Sequence, residues 1–487
     1  MSISQIEVAI IGAGTAGLSA RSEVAKITDS YRVFDPGPLG TTCARNGCMP
    51  SKAFLQSAHD YHRRHAFDAL GIEGGAGLQV NGATVLHRTR ELRDDLVEGV
   101  VDGMDEWKAA HFVCQSAEFT RDGTLRAGDE VFRPRATVIA TGTRPIVPSD
   151  WKDALGDRMM TTDTFFEMPD LPGRVAVIGL GPVGLELGQA LARLGVEVTG
   201  FDPAPMLGGI SDPELQGCLD SSVSREMQIV RADADPRLAA DGSVILAWED
   251  GETRVDCVLV AMGRAPNVEG LGLDRVGVQL TDDSYPDLPA GQLNASGSRV
   301  YFAGDVSGSP ALLHEAADEG RVAGFNAVRG LDAVFSRRVP LAIVFTDPQI
   351  ATVGATIEEL ENDGTDVAVG SASFASAGRV RLARSSGGTI RIYADRETAQ
   401  LRGAAIIAPE AEHLAHLLAY AISSEADLRT MLRMPFYHPT HEEVLRRAIR
   451  AALAKCRVDR DPADDIRCHD APVDATEAET AEKLLEG

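Results

Sequence analysis

Two glycine-rich turns of one design, the first near the N-terminus and the second near the middle, constrain this chain more than any other feature. Ile6-Glu-Val-Ala-Ile-Ile11 has the apolar run of a buried strand and leads directly into Gly12-Ala-Gly14-Thr-Ala-Gly17, after which a helical stretch follows. A second strand-like run, Tyr31–Phe34, stops at Asp35. The same order recurs in Arg174–Ile178, Gly179-Leu-Gly181-Pro-Val-Gly184, Val196–Phe201 and Asp202. In both copies the acid lies 23 residues after the first glycine (12 to 35, 179 to 202). Strand, glycine turn, helix, strand and acid together make the dinucleotide-binding βαβ unit. Its first glycine permits the tight turn, its second lets the backbone approach a pyrophosphate, and its third lets the helix pack on the strand. The diphosphate then rests on the helix N-terminus, where free N–H groups and the dipole favour negative charge. The terminal acid can accept hydrogen bonds from a ribose. At Asp202 it favours NAD, because a carboxylate repels a 2′-phosphate and Pro203-Ala-Pro205 supplies no arginine to hold one; the alternative is that Asp202 only caps the approach to a helix. Two copies imply two nucleotide cofactors, most simply FAD and NAD.

Composition narrows the class further. At 487 residues the chain is long enough for two to four domains. Its 72 acidic against 47 basic residues give a net charge of −25, which makes nucleic acid and anionic membranes poor partners. No apolar run approaches the ~18–20 residues needed to span a bilayer. The first strand begins too early to leave room for a signal peptide, so a cytoplasmic location is expected. Seven cysteines are too few for a disulfide scaffold, and in a reducing compartment a close pair points to catalysis or metal binding.

Such a pair is present in Cys43-Ala-Arg-Asn-Gly-Cys48-Met-Pro-Ser-Lys52. Four intervening residues let two sulfurs meet if the loop enters a helix, and a helix N-terminus with a nearby cation lowers a thiol pKa. Half of a metal site and two unconnected buried thiols are the alternatives; a zinc site requires two more ligands at Cys/His spacing. Beside two dinucleotide units the redox reading is favoured, since flavin, nicotinamide and dithiol form one electron route. Further along come Ala140-Thr141-Gly142, Gly263-Arg264-Ala-Pro-Asn267, Ala303-Gly-Asp305, His314-Glu-Ala-Ala-Asp-Glu-Gly320, Phe345-Thr-Asp-Pro-Gln-Ile-Ala-Thr-Val-Gly354 and His438-Pro-Thr-His-Glu-Glu443.

In this order, these motifs resemble the pyridine nucleotide-disulfide oxidoreductases, a flavoprotein family, and within it the dihydrolipoamide dehydrogenases most. The likeness runs from about residue 5 to about 455. It implies an α/β fold of two Rossmann-type domains plus a C-terminal α+β dimerisation domain. The expected divisions are an FAD-binding domain at 1–148 completed by 271–340, an NAD-binding domain at 149–270, a dimerisation domain at 341–460 and an acidic tail at 461–487. The resemblance implies that Cys48 lies against the flavin as the charge-transfer thiolate and that Cys43 exchanges with substrate. Lys52 and Glu186 pair near flavin N5, Asp305 holds the ribityl chain, and Thr42, Thr141, Gly142, Gly263 and Arg264 join the cofactor-binding set. His438 moves protons, oriented by Glu443, and comes from the other subunit of a homodimer. A base with a pKa near working pH suits thiol exchange on chemical grounds as well.

The expected reaction passes electrons between NAD(H), FAD, the Cys43–Cys48 pair and a thiol substrate, with dihydrolipoyl groups on a carrier protein as the best match. Reduction of another low-molecular-weight or protein disulfide is the alternative, and a non-catalytic NADH-sensing flavoprotein is the rival from a different class. Some features depart from the family pattern. Arg45 adds a cation between the thiols, Pro182 replaces a tyrosine lid, and Phe436-Tyr437 precedes His438. His59, His62 and His65 are expected on a channel-side or exposed helix face, with metal binding disfavoured. Cys114 and Cys257 are expected in the core. Cys456 and Cys468 are poorly spaced for a tail redox shuttle.

Overall fold

The computed structural model describes residues 3–295 and 297–458, which group into two compact units. The first comprises residues up to 209, 219–338 and 344–347, and the second comprises 210–218, 339–343 and the described residues from 348 onward. Cys468 and the expected acidic tail lie outside the described residues.

The first unit contains both dinucleotide repeats. Strand β1 (Ile3–Ile11) runs into helix α1 (Thr15–Val24) and returns as β2 (Tyr31–Phe34), parallel to β1 with Ile11 opposite Phe34. After the redox loop comes helix α2 (Cys48–His62), and then β3 (Glu130–Ile139), which pairs parallel with β1. The second repeat starts at β4 (Arg174–Ile178), continues through helix α3 (Pro182–Arg193) and returns as β5 (Glu197–Phe201) beside β4. β6 (Cys257–Val260) pairs parallel with the other side of β4. β7 (Val300–Phe302) joins the first sheet beside β3, followed by helix α4 (Leu313–Arg329). Both sheets are covered by helices, so their strands read as nearly unbroken apolar runs.

In the second unit, β8 (Gln349–Gly354), β9 (Val367–Ser373), β10 (Thr389–Asp395) and β11 (Leu401–Ala408) form an antiparallel array, with β8 on β11, β11 on β10 and β10 on β9. Helices α5 (Ala411–Ser423) and α6 (Glu442–Leu453) supply Leu414, Leu418, Val444 and Ile449 to its core.

The two glycine turns are built alike in detail. A Cβ on Gly12 would sit 2.3 Å from the Ala140 carbonyl oxygen, and one on Gly179 2.4 Å from that of Ala261. A Cβ on Gly17 or Gly184 would come 1.9 Å from the carbonyl oxygen of its own first glycine. By contrast, Gly14 and Gly181, which precede α1 and α3 without a side-chain cap, face open space. The outer glycines are therefore demanded by the turn, and the middle one leaves room for a ligand. Gly184→Ala is expected to destabilise the protein by about 2 kcal/mol or more through this clash. Gly181→Ala should leave the melting temperature unchanged while weakening NADH binding. Thermal melts and NADH titrations of the two variants check this, and equal losses of stability would refute the distinction.

Candidate active site

The redox loop is shaped before its chemistry begins. Thr41 adopts φ +57° and its hydroxyl accepts the Ala44 N–H at 3.2 Å, capping the short turn Thr42–Arg45. A Cβ on Gly47 would lie 2.9 Å from the Thr42 carbonyl oxygen, so only glycine lets the chain fold back there. Cys48 then opens α2 at a terminus with no side-chain cap, and its own N–H is among the groups favouring the thiolate. Its thiol is drawn down to about 6, first by a hydrogen bond from Cys43 and further by the charge of Lys52, against the opposing effect of burial. Cys43 is driven upward because it is the donor in that bond and is partly buried. The pair is thus divided into a thiolate and a protonated thiol.

Lys52 lies one helical turn after Cys48, on the same side of α2. Its Nζ donates to Glu186 Oε2 at 2.7 Å and lies 4.7 Å from the Phe345 ring centroid. Glu186, buried on α3, accepts the Phe345 N–H on its other oxygen at 2.8 Å. These residues place the Lys52–Glu186 pair beside the dithiol.

The candidate nucleotide-binding residues are held by the loops around them. Asp35 accepts the N–H groups of Ala13 and Gly37, each at 2.7 Å. Asp202 does the same for Leu180 at 2.7 Å and Ala204 at 2.9 Å. Both acids therefore brace their glycine turns, and each oxygen retains a lone pair for a ribose. Thr141 donates to the Asn267 carbonyl at 2.7 Å, and Gly142 follows it at φ +64°. Gly263, at φ +106°, leads into Arg264, which binds Thr143 through Nε at 2.7 Å and Nη2 at 2.8 Å. Thr143 in turn donates to Asp305 Oδ2 at 3.2 Å. Thr42 is exposed on the redox loop.

Glu319 lies within the His314–Gly320 motif, where the pattern alone assigns it no task. It is fully buried, accepts the Gly304 N–H at 2.7 Å and the Ser307 hydroxyl at 2.9 Å, and is paired with Arg337. It therefore holds the turn that presents Asp305. Thr143 was also missed, because its partners arrive from residues 121 and 162 positions away.

In the second unit, His438 Nδ1 lies 3.0 Å from both carboxylate oxygens of Glu443. Glu443 stands in the first turn of α6, where the helix dipole favours its charge, and the His438 hydrogen bond holds its carboxyl below the usual range. Nε2 of the exposed imidazole takes no part in that contact.

Other expectations resolve differently. Arg45 donates to the Pro38 carbonyl at 3.0 Å, which ties its guanidinium to the redox loop. Cys114 is exposed just past a two-residue strand, and Cys257 is half-buried at the start of β6, so neither is core. Cys456 is buried three residues past the end of α6. His65 is exposed, whereas His62 lies 3.8 Å from Glu226 and burial and Arg193 push both His59 and His62 downward, towards the neutral form. Among the described residues no cluster of three metal-ligating side chains occurs, and no helix is long and apolar enough to cross a membrane.

Paired dinucleotide folds with open middle glycines and a polarised dithiol beside a lysine–glutamate pair define a flavin-dependent disulfide oxidoreductase. The chain belongs to the pyridine nucleotide-disulphide oxidoreductase family, whose model matches residues 6–320, with the family's dimerisation domain matching 340–449. The family's enzymes use FAD and NAD(H), and the dimerisation domain supports a homodimer. The chain is 30% identical to the dihydrolipoyl dehydrogenase of Halobacterium salinarum over 470 residues, 92% of this chain and 96% of that one. It is 28% identical over 459 residues to that of Geobacillus stearothermophilus, with the same coverage. Among solved structures it is similar to the HOCl-induced flavoprotein disulfide reductase RclA from Escherichia coli, with a TM-score of 0.80 and 19% identity over 92% of this chain and 99% of that one. LpdA from Mycobacterium tuberculosis matches with a TM-score of 0.78 and 21% identity over 92% of this chain and 99% of that chain; both likenesses concern the fold.

With its thiol drawn to about 6, Cys48 is a thiolate at neutral pH and loses that charge as pH falls through 6. In reduced protein, site-resolved alkylation of Cys48 is expected to be flat above about pH 7 and to fall about tenfold per unit well below 6. A midpoint near the ordinary thiol value would contradict the polarised pair.

Proposed function

We propose that this enzyme is an NAD-linked dihydrolipoyl dehydrogenase that oxidises lipoyl groups on a carrier protein in the cytoplasm. The observation that carries the reading is the placement of Cys48 at the uncapped start of α2, one turn before the Lys52–Glu186 ion pair at 2.7 Å, with Cys43 on the loop just ahead of it, which gives the two sulfurs different surroundings and different tasks. The names of the relatives, matched over nine-tenths of the chain, support the substrate.

In the working cycle the pair begins as a Cys43–Cys48 disulfide. One thiol of the dihydrolipoyl group gives its proton to Nε2 of His438 and attacks Cys43 Sγ. A mixed disulfide forms, and the Cys43–Cys48 bond breaks with its electron pair going to Cys48. The second substrate thiol attacks the lipoyl sulfur of the mixed disulfide, closes the ring and expels Cys43, which takes the proton carried by His438. The second thiol's own proton then passes to the imidazole, so the reduced centre holds a Cys48 thiolate, a Cys43 thiol and one proton on His438. Each exchange trades one S–S bond for another. Glu443 holds the imidazole tautomer through Nδ1. His438 acts on the dithiol of the partner protomer, so the homodimer is the catalytic unit.

The open turns at Gly14 and Gly181, the uncapped N-termini of α1 and α3 and the oriented Asp305 carboxylate suit FAD and NAD. Bound FAD supplies the two-electron acceptor between the dithiol and NAD. Lys52 and Glu186 hold fixed charges beside that route, and Cys48 keeps its thiolate ready.

An anaerobic assay tests the proposal, with dihydrolipoamide and NAD in one direction and NADH with lipoamide, glutathione disulfide or cystine in the other. Expected turnover with the lipoyl pair is at least ~10 per second, with NADP(H) much poorer. His438→Gln should lower kcat by about 100-fold or more. If lipoamide is ignored while another disulfide is turned over, the substrate is wrong and the redox centre stands.

A further inference from the structure

The helix face that carries Glu186 continues past the chemistry described so far. Glu186, Gln189 and Arg193 are spaced by three and four residues along α3 and share one side of it. All three grip the segment Phe345-Thr-Asp347. Glu186 takes the Phe345 N–H. Gln189, buried, accepts the Asp347 N–H at 2.8 Å and donates to the Asp347 carbonyl at 2.9 Å. A side-chain amide thus satisfies both main-chain groups of one residue, as a neighbouring strand would. Arg193, also buried, donates to Asp347 Oδ2 at 3.0 Å and to its carbonyl at 3.2 Å, and holds Glu226 through Nε at 2.6 Å and Nη2 at 2.9 Å. Gln189 Nε2 also reaches Glu226, at 2.9 Å.

We infer that Gln189 and Arg193 are positioning residues for Lys52. By fixing Asp347 they fix Phe345, whose ring faces the Lys52 ammonium. A lysine head has three donors on a flexible stem, and a single carboxylate leaves it free to pivot. The Phe345 face supplies a second point of attraction and a wall. Glu186, bonded to both Lys52 and the Phe345 N–H, joins the two holds. The ammonium is thereby kept where it favours the Cys48 thiolate. The inference rests on Lys52 having that effect on Cys48.

The test is the pH profile of Cys48 alkylation by iodoacetamide, followed by peptide mass spectrometry in the full-length protein. A Cys43→Ala background removes the neighbouring thiol. Lys52→Met is the reference and should raise the midpoint by about one pH unit. Gln189→Met and Arg193→Lys should each raise it part of the way, slowing alkylation about 1.5- to threefold near the midpoint. Arg193→Lys keeps the buried charge, so it remains informative if Gln189→Met does not fold. In the dithiol-intact enzyme the same two variants should lower kcat about three- to tenfold with little change in the KM for NADH. If Lys52→Met moves the midpoint and both α3 variants match the parent, even with lowered melting temperatures, the positioning role is overturned. If Lys52→Met itself leaves the midpoint in place, the effect of Lys52 on Cys48 is overturned and the inference falls with it.

Discussion

A buried carboxylate facing an ammonium at 2.7 Å, Glu186 with Lys52, is the contact around which this molecule is arranged. Charge removed from water is tolerated only when it is paired and hydrogen-bonded, and Glu186 meets both conditions through Lys52 and the Phe345 amide. The pair also joins two helices with different duties. α2 begins at Cys48, and Lys52 is one turn along it. α3 follows the second glycine turn, with Glu186 just inside it. One ion pair therefore ties the helix that begins at Cys48 to the helix that follows the second glycine turn.

The same device appears elsewhere in a weaker form. Asp35 and Asp202 each accept two backbone N–H groups from their own loops, and Glu319 accepts the Gly304 amide. In the second unit, buried Asp212 pairs with Arg391 and accepts from the Tyr393 hydroxyl. A chain with 72 acidic residues thus spends some of its negative charge inside, tying irregular backbone that has no strand or helix partner. Such loops have N–H groups that must be satisfied, and a carboxylate offers several acceptor sites in a small volume. The loops are consequently braced by the protein's own carboxylates.

Much of this was legible from residue order alone. The two glycine turns, their terminal acids and the Cys43–Cys48 loop are local patterns, and local patterns survive in a linear text. The joint use of Asp35 and Asp202 as loop braces was not, because a ribose and a backbone amide ask for the same acceptor. Thr143, Glu319, Gln189 and Phe345 escaped for another reason: their meaning comes from partners far away in sequence. Cys114 illustrates the opposite failure. Its neighbours read as a strand, but the strand ends at Val113 and the next side chain reaches solvent. Arg45 lies between two thiols in sequence, and the contact of its guanidinium with the Pro38 carbonyl is one that the sequence does not announce.

The unequal crowding of the three glycines in each turn bears on ancestry. The outer pair is enforced by the chain's own carbonyls, so those positions would persist in a descendant that had abandoned its nucleotide altogether. A side chain on the middle glycine would meet nothing, so that position would be free to drift once no ligand approached it. A lineage that had lost one cofactor would still display most of the familiar signature, and the erosion would begin at a single letter in its centre.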